Sequence, residues 1–259
     1  LADLYSIKDP LLRQQLLYGD WDAHVGQYFR EWEFHVHTCT EFEIPKNWKI
    51  YLGIDWGYFP RPAVCLWFAI NEYGKVYVIM ELVRHRTLED DFGKQIVEMT
   101  EKMDIDISRI EWSVIDRSCR RPSSDTGKNT IDNLTAAGVP GLFPSDSSRV
   151  PGWLCIRKLL RVHTNKNEQG EIVKSTGMQI FRHNCPYLIE TLPTLIHSEK
   201  NPMDLDTDGL DDPADALRFF AKQYVGTATP DIDPTEDWLS QEMWKVVDKQ
   251  SQPQANYDE

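Results

Sequence analysis

Three aspartates lie where predicted secondary-structure elements end or begin. Asp55 closes one strand-like apolar run, Asp116 closes another, and Asp215 falls in the first turn of a predicted final helix. If the two strands are neighbours in a sheet, their ends place two carboxylates side by side, and the helix can deliver the third. Mg²⁺ prefers carboxylate oxygens, and a bound cation removes the repulsion between clustered acids. These residues therefore predict a divalent-metal site.

Such a site could hydrolyse a phosphodiester bond. Two metal ions about 4 Å apart can activate the attacking water and stabilise the leaving oxygen. Asp212 lies three residues before Asp215, near the same helical face, and is a possible fourth ligand. Glu81, at the end of the third predicted strand, could also add a ligand, although a solvent-facing strand acid is the simpler interpretation.

Each of the four aspartates also has a structural interpretation. Asp55 could initiate a turn, and Asp116 could pair with a nearby arginine. Asp212 stands before Pro213, as the N-cap residue of a helix often does, and Asp215 suits the positive end of the helix dipole. Composition and spacing alone leave both interpretations open.

The first elements along the chain form a strand-rich pattern that would position these acids. Apolar runs at residues 49–55, 63–70 and 75–83 are joined by short loops and indicate an antiparallel meander. Apolar residues then recur at helical spacing over 92–103, and a further short strand ends at Asp116.

The second half alternates helices with one more strand and an inserted hairpin. A strand is predicted over 139–143, and turn-forming residues between alternating segments predict a β-hairpin at 161–181. Helices are predicted over residues 130–137, 151–162, 187–197 and 213–224. We therefore expect an α/β domain whose mixed sheet has three antiparallel strands and two more, flanked by helices. This is the element order of the RNase H-like fold, although other mixed-sheet domains would also fit.

The charge of the chain is unevenly distributed. The net charge of −13 argues against a surface covered with phosphate-binding lysines. Residues 116–161 nevertheless hold eight basic and four acidic side chains, whereas residues 226–259 hold eight acidic and two basic ones. No apolar stretch is long enough to cross a membrane, and the five scattered cysteines contain no C-x-x-C pair. A nucleic-acid enzyme is compatible with this pattern, but a membrane partner or a zinc cage is not expected.

Three strings of the sequence resemble the large terminase subunits of tailed phages. They are Leu-Tyr-Gly-Asp-Trp-Asp at 17–22, Tyr-Leu-Gly-Ile-Asp-Trp-Gly at 51–57, and Asp-Gly-Leu-Asp-Asp-Pro-Ala-Asp-Ala-Leu-Arg-Phe at 208–219. The resemblance runs from about residue 11 to about residue 225. The first string looks like the end of an ATPase domain with its linker, and the other two look like the two ends of a nuclease domain.

The resemblance implies an RNase H-like nuclease that cuts concatemeric double-stranded viral DNA during packaging, with Mg²⁺ or Mn²⁺ as cofactor and two ions expected. Asp55 matches the first-strand ligand of that family, Asp116 the acid after the fourth strand, and Asp215 the acid of the final helix. Asp212 stands where many relatives have a histidine or another acid, so its role is open. The hairpin at 161–181 resembles an insertion that the family places near the DNA groove.

The resemblance also implies a division of the chain and a set of partners. Residues 1–45 would be the lead-in from an ATPase domain, 46–225 the nuclease domain, and 226–259 an acidic, mobile tail. No G-x-x-x-x-G-K-[ST] string occurs, so the ATPase domain would lie elsewhere in the full-length chain. The small terminase subunit and the portal protein are the other expected partners. The expected location is the packaging motor at the procapsid, in the host cell cytoplasm.

Basic residues near the predicted site are candidate contacts for the DNA backbone. Four follow the second acid and two lie on the predicted hairpin; they are Arg117, Arg120, Arg121, Lys128, Lys166 and Lys174. A solvated charged face is the alternative interpretation. Two other functions stay open: another RNase H-like enzyme, such as a junction resolvase or transposase, and a non-catalytic domain that docks on a portal or motor protein.

Overall fold

The computed structural model describes residues 26–123, 127–146, 148–166, 171–206 and 211–227. The first of the three strings and nearly all of the predicted acidic tail lie outside these ranges. Within them, no helix has both the length and the apolar character needed to span a membrane.

A seven-stranded mixed sheet forms the centre of the domain, in the order β1-β9-β4-β3-β2-β5-β6. Its strands are β1 (Thr38–Cys39), β2 (Lys49–Asp55), β3 (Ala63–Ile70), β4 (Val76–Arg84), β5 (Ile110–Ile115), β6 (Leu142–Pro144) and β9 (Met178–Phe181). The predicted meander is confirmed, because β2, β3 and β4 pair in antiparallel fashion. β5 pairs parallel to β2, and β6 pairs parallel to β5.

Helices cover both faces of this sheet. They are α1 (Phe34–His37), α2 (Glu89–Lys102), α3 (Thr130–Ala136), α4 (Arg149–Leu160), α5 (Pro186–Thr191) and α6 (Asp212–Thr227). The side chains of β3 alternate between the two faces: Leu66 and Phe68 pack with α4 and α6, whereas Trp67 packs with α2 and α3. Because both faces are covered, β3 is buried along its whole length. Its sequence is therefore a continuous apolar run without alternating polar residues.

The region predicted as one hairpin forms two structures. β7 (Val162–Lys166) and β8 (Ile172–Thr176) pair in antiparallel fashion as a separate two-stranded sheet. The last residues of the predicted hairpin instead form β9, which joins the central sheet parallel to β4. The sheet therefore has seven strands where five were predicted. A four-residue strand that pairs with a distant segment leaves little local signal.

Residues of the predicted lead-in pack against this domain. Tyr28, Phe29 and Trp32 are buried in the core on the α4 side. Strand β1 pairs parallel to β9 at the edge of the sheet. Residues 28–39 are thus part of the packed unit.

The helix predicted over 187–197 is shorter than expected. α5 ends at Thr191, and a 3₁₀ turn, Leu192–Thr194, follows it. Pro193 lies within that turn, and a proline has no backbone N–H with which to continue an α-helix. Beyond the turn, Ile196 forms an isolated bridge with Gln27.

Candidate metal centre

Asp55 and Asp116 lie side by side where two neighbouring parallel strands end. Ile54 of β2 is in register with Ile115 of β5, and each aspartate is the next residue along. Both isoleucines face the α2 side, so the alternation of side chains directs the two carboxylates toward α6. We call this end of the sheet, where β2 and β5 finish, the acidic end.

Helix α6 brings further acids to the acidic end. Asp212 is its first residue, and Asp215 lies in its first turn, where its N–H donates to the carbonyl of Asp211 at 2.8 Å. The residues Asp211 and Asp212 are 5% and 3% exposed. α6 can approach β2 closely because a Cβ on Gly53 would lie 2.5 Å from the carbonyl oxygen of Ala216.

The predicted acids lie close enough to Asp55 to raise its pKa. Burial raises the pKa of Asp55 well above its ordinary value, and the charges of Asp215, Asp212 and Asp116 raise it further. The charge of Arg218 acts in the opposite direction. The three other aspartates singled out in the sequence therefore lie within electrostatic reach of Asp55.

Two arginines flank the carboxylate of Asp215. The Nε of Arg218 donates to Oδ1 at 2.7 Å, and Nη1 of Arg149 lies 3.7 Å from Oδ2. Burial raises the pKa of Asp215, whereas these two cations lower it. The guanidinium groups of Arg218 and Arg149 lie 4.9 and 5.2 Å from the ring centre of Trp153. A side chain at Gly152 would displace Arg218, because a Cβ there would lie 2.4 Å from its Cγ.

A third arginine binds the start of α6. Nη1 of Arg61, from the loop between β2 and β3, lies 2.7 Å from Oδ1 of Asp211 and 3.5 Å from Oδ2 of Asp212. Burial raises the pKa of both acids, and the Arg61 charge opposes the effect. Arg149 also contacts Asp204 at 3.1 Å. Arg61, Arg149 and Asp204 were not identified from the sequence, because their contacts with the site join distant segments. Asp211 was quoted only as part of the string at 208–219 and not as a site residue.

Asp116 also supports a turn, in addition to its position at the acidic end. Its carboxylate accepts a hydrogen bond from the N–H of Ser118 at 2.6 Å and caps the 3₁₀ turn Arg117–Arg120. Next to it, the N–H of Ser145, after β6, donates to the carbonyl of Ile115 at 2.7 Å. The Ser145 hydroxyl is buried and has no hydrogen-bond partner among the described residues.

The donor chemistry of the acidic end fits a hard divalent cation. Its candidate ligands are carboxylate oxygens, which suit Mg²⁺ or Mn²⁺ better than zinc. Within the described ranges, no three His, Cys, Asp or Glu side chains have the spacing of a complete ligand set. Asp212 and Asp215 are instead oriented toward arginines. Metal binding would therefore require some of these carboxylates to change partners.

The structure places the candidate DNA contacts in two regions. Exposed arginines on the turn after Asp116, and Lys128 just before α3, lie on the β5 side of the acidic end. Lys166 and Lys174 lie on the β7–β8 hairpin, and Lys174 forms an ion pair with Glu33. Lys174 is thus already paired, so it is a weaker candidate than the arginines.

Glu81 has a structural role that the sequence did not reveal. Its carboxylate accepts hydrogen bonds from the N–H groups of Tyr187 at 2.6 Å and Leu188 at 2.9 Å, and so caps α5 from a distant strand. Burial raises its pKa to about 7, although these two hydrogen bonds act in the opposite direction. The expectation of a solvent-facing acid is wrong.

Similarity to known proteins is found in the structure and not in the sequence. No family model and no curated protein matches the sequence. The nuclease domain of the P22 large terminase is similar in structure, with a TM-score of 0.55 at 14% identity over 78% of this chain and 93% of that one. The large terminase nuclease of thermophilic phage G20c, with bound magnesium, gives a TM-score of 0.50 at 10% identity over 77% and 98%. This chain therefore has the RNase H-like fold of phage large terminase nuclease domains.

Proposed function

We propose that this chain is a metal-dependent endonuclease that cleaves double-stranded viral DNA during genome packaging. The observation that carries the proposal is the convergence of Asp55, Asp116, Asp212 and Asp215 where β2 and β5 end and α6 begins. Clustered acids at such strand ends are poorly stable alone and gain stability from a divalent cation. The similar structures, which are nucleases of large terminases, one with bound magnesium, support the same function.

In this proposal the carboxylates hold the metal, and the arginines hold the carboxylates. Asp55 and Asp116 are the central ligands, Asp215 completes the set, and Asp212 is a possible fourth. Two Mg²⁺ or Mn²⁺ ions, when bound, would activate a water molecule and neutralise charge on the scissile phosphate. Arg149 and Arg218 orient Asp215 from both sides.

The arginines on the β5 side have a separate part in the proposal. Arg117, Arg120 and Arg121 are exposed directly after Asp116 and would position the sugar-phosphate backbone.

The wider setting is part of the same proposal. We infer that residues 46–225, together with residues 28–39 that pack with them, are the nuclease domain of a longer chain. The rest of 1–45 would lead in from an ATPase domain, and 226–259 would be a tail. The substrate would be concatemeric DNA delivered by the packaging motor in the host cytoplasm. The small terminase subunit and the portal protein would be its partners there.

Plasmid nicking tests the proposal. We expect Mg²⁺ or Mn²⁺ to support nicking by the unaltered protein, and EDTA to abolish it. Asp55→Asn, Asp116→Asn and Asp215→Asn should each lower the rate by about 100-fold or more, whereas Asp90→Asn, an exposed acid in the first turn of α2, should leave it unchanged. Mn²⁺ should also raise the melting temperature of the unaltered protein but not of Asp55→Asn, because the ligand set is then incomplete.

Four outcomes would contradict this function. Cleavage that survives EDTA, or equal activity in all three variants, would exclude the metal site. Strong preference for four-way junctions over linear duplex would instead indicate a resolvase. A folded protein that neither nicks DNA nor is stabilised by Mn²⁺ would indicate a docking domain.

A further inference from the structure

The acidic end of the sheet carries a second surface on the side away from β5. Asp55 pairs with Val64 and Ala63 pairs with Arg84, so the start of β3 and the end of β4 lie at the same end as the acids. Strands are about 4.8 Å apart, which places the end of β4 about 10 Å from Asp55. The acids therefore stand between two exposed segments: the arginine turn after Asp116 on one side, and the β2–β3 loop with the end of β4 on the other.

Two aromatic side chains and an arginine form this second surface. Tyr58 is 50% exposed and Phe59 is 60% exposed. The guanidinium of Arg86 lies 4.2 Å from the ring centre of Phe59, and the N–H of Arg86 donates to the carbonyl of Tyr58 at 2.8 Å. We call Tyr58, Phe59 and Arg86 the aromatic patch. Its members come from two different loops, and these contacts join the loops.

The backbone at the aromatic patch is held in an unfavourable conformation. Arg86 has a φ of 52°, in the left-handed region that a residue with a side chain seldom adopts. The hydrogen bond to Tyr58 and the stacking on Phe59 hold Arg86 there. The conformation aligns a cation beside two solvent-facing rings.

The composition of the aromatic patch suits nucleic acid. Aromatic rings stack on bases that are not stacked within a duplex, and arginine adds contacts to phosphate and to ring faces. Arg84 and Arg86 are both exposed, so two permanent cations lie at this end of β4. The groove beside Tyr58 and Arg86 is also lined by Asp91, Lys94 and Glu98 of α2, so the positive charge is confined to the arginine side. These cations and the two rings match a negatively charged substrate with planar bases.

We propose that the aromatic patch is a DNA-contact surface that holds the strand on the β4 side of the acids. Arg86 contacts the phosphate backbone, and the rings of Tyr58 and Phe59 stack on bases exposed at an unpaired or distorted step. The inference rests on the proposed nuclease function for its substrate, but it concerns residues outside the metal site. It predicts a preference for DNA that contains a short unpaired segment over fully paired duplex.

A binding measurement without cleavage tests the aromatic patch. Fluorescence anisotropy in the Asp55→Asn background compares a labelled duplex with the same duplex carrying a short gap. Adding Tyr58→Ala and Phe59→Ala together should weaken binding to the gapped DNA about tenfold or more, with a smaller effect on the intact duplex. Arg86→Ala should weaken binding to both and reduce its salt dependence, because one phosphate contact is lost.

Matched controls lie at the opposite end of the sheet. Tyr73, 86% exposed in the turn between β3 and β4, is the control for the aromatic rings. Lys49, exposed at the start of β2, is the control for the arginine. Tyr73→Ala and Lys49→Ala should change either affinity by less than about twofold. Equal melting temperatures for all variants would show that the exposed substitutions leave the fold intact.

The possible results separate this inference from the proposed function. If the unaltered protein nicks plasmid with Mn²⁺ but the double variant binds gapped DNA as well as its parent, the aromatic patch is not a DNA contact. The same conclusion follows if Tyr73→Ala causes an equal loss. If the patch variants lose binding but the unaltered protein never nicks DNA, the aromatic patch is a DNA contact and the proposed nuclease function is wrong. If the parent binds neither DNA at low salt, the aromatic patch is not a DNA contact, and plasmid nicking by the unaltered protein alone decides the proposed function.

Discussion

Asp55 occupies a position where burial and three neighbouring carboxylates all oppose its ionisation. Asp215 is held differently: burial raises its pKa, and the charges of Arg218 and Arg149 oppose that effect only in part. A divalent ion that binds Asp55 would favour its ionised form and release any proton it carries. At the residue scale, the site thus combines one acid whose ionised form its acidic neighbours oppose with another whose ionised form two arginines partly stabilise.

Glu81 provides a pH-dependent contribution to stability that is separate from the metal site. The folded protein retains the proton on Glu81 up to a pKa of about 7, whereas the ordinary value is 4.5. The contribution of Glu81 is therefore fully present below about pH 4.5 and is lost as pH rises toward 7. We expect the free energy of unfolding, measured with urea in EDTA, to fall over this range, and Glu81→Gln to reduce the fall.

An exposed glutamate serves as the control for this measurement. Glu98→Gln, on the exposed side of α2, should reproduce the pH dependence of the unaltered protein. An identical slope in Glu81→Gln and the unaltered protein would show that Glu81 does not retain its proton in the fold.

The contact between β2 and α6 is the element-scale feature that brings the acids together. Gly53 lies two residues before Asp55, and Ala216 follows Asp215 directly. Beside this contact, the ring of Phe68 on β3 stacks on the ring of Phe220 of α6, with centroids 3.6 Å apart. The apolar contacts fix the position of the helix, and the glycine allows the close approach that the carboxylates require.

Gly53→Ala should disturb both stability and activity. The added Cβ would lie 2.5 Å from a backbone oxygen, which cannot move without shifting α6. We expect a loss of about 1–3 kcal/mol in the free energy of unfolding and a lower rate of nicking. Gly226→Ala is the control, because a Cβ there meets nothing within 4 Å. Normal stability and nicking in Gly53→Ala would show that the contact is not required.

At the scale of the whole molecule, a net charge of −13 must coexist with the proposed polyanionic substrate. The basic side chains that could contact DNA are concentrated near the acidic end of the sheet. The net negative charge of the remaining surface repels DNA. We therefore expect weak binding of DNA by this chain, and only at low salt. The logarithm of the affinity should fall by about 0.9 per phosphate contact for each tenfold rise in salt. Tight, salt-independent binding in the anisotropy measurement would contradict this distribution of charge.

The sequence by itself determined the elements whose patterns are local. The meander of β2, β3 and β4 and the final helix follow from periodicity and turn residues, and Asp55 and Asp215 stand at their ends. Each of these features depends on residues close together along the chain, so the local sequence pattern predicts it. The resemblance of the strings around the same two acids indicated a terminase nuclease, and the fold agrees with it.

Only the tertiary structure decided which distant segments meet. Strand β9 joined the central sheet, Arg61 and Arg149 reached the acids, and Glu81 capped α5. Local periodicity does not encode these contacts, because they depend on how the chain packs in three dimensions. The same reason explains why the aromatic patch emerged only once the loop after Asp55 and the end of β4 were placed side by side.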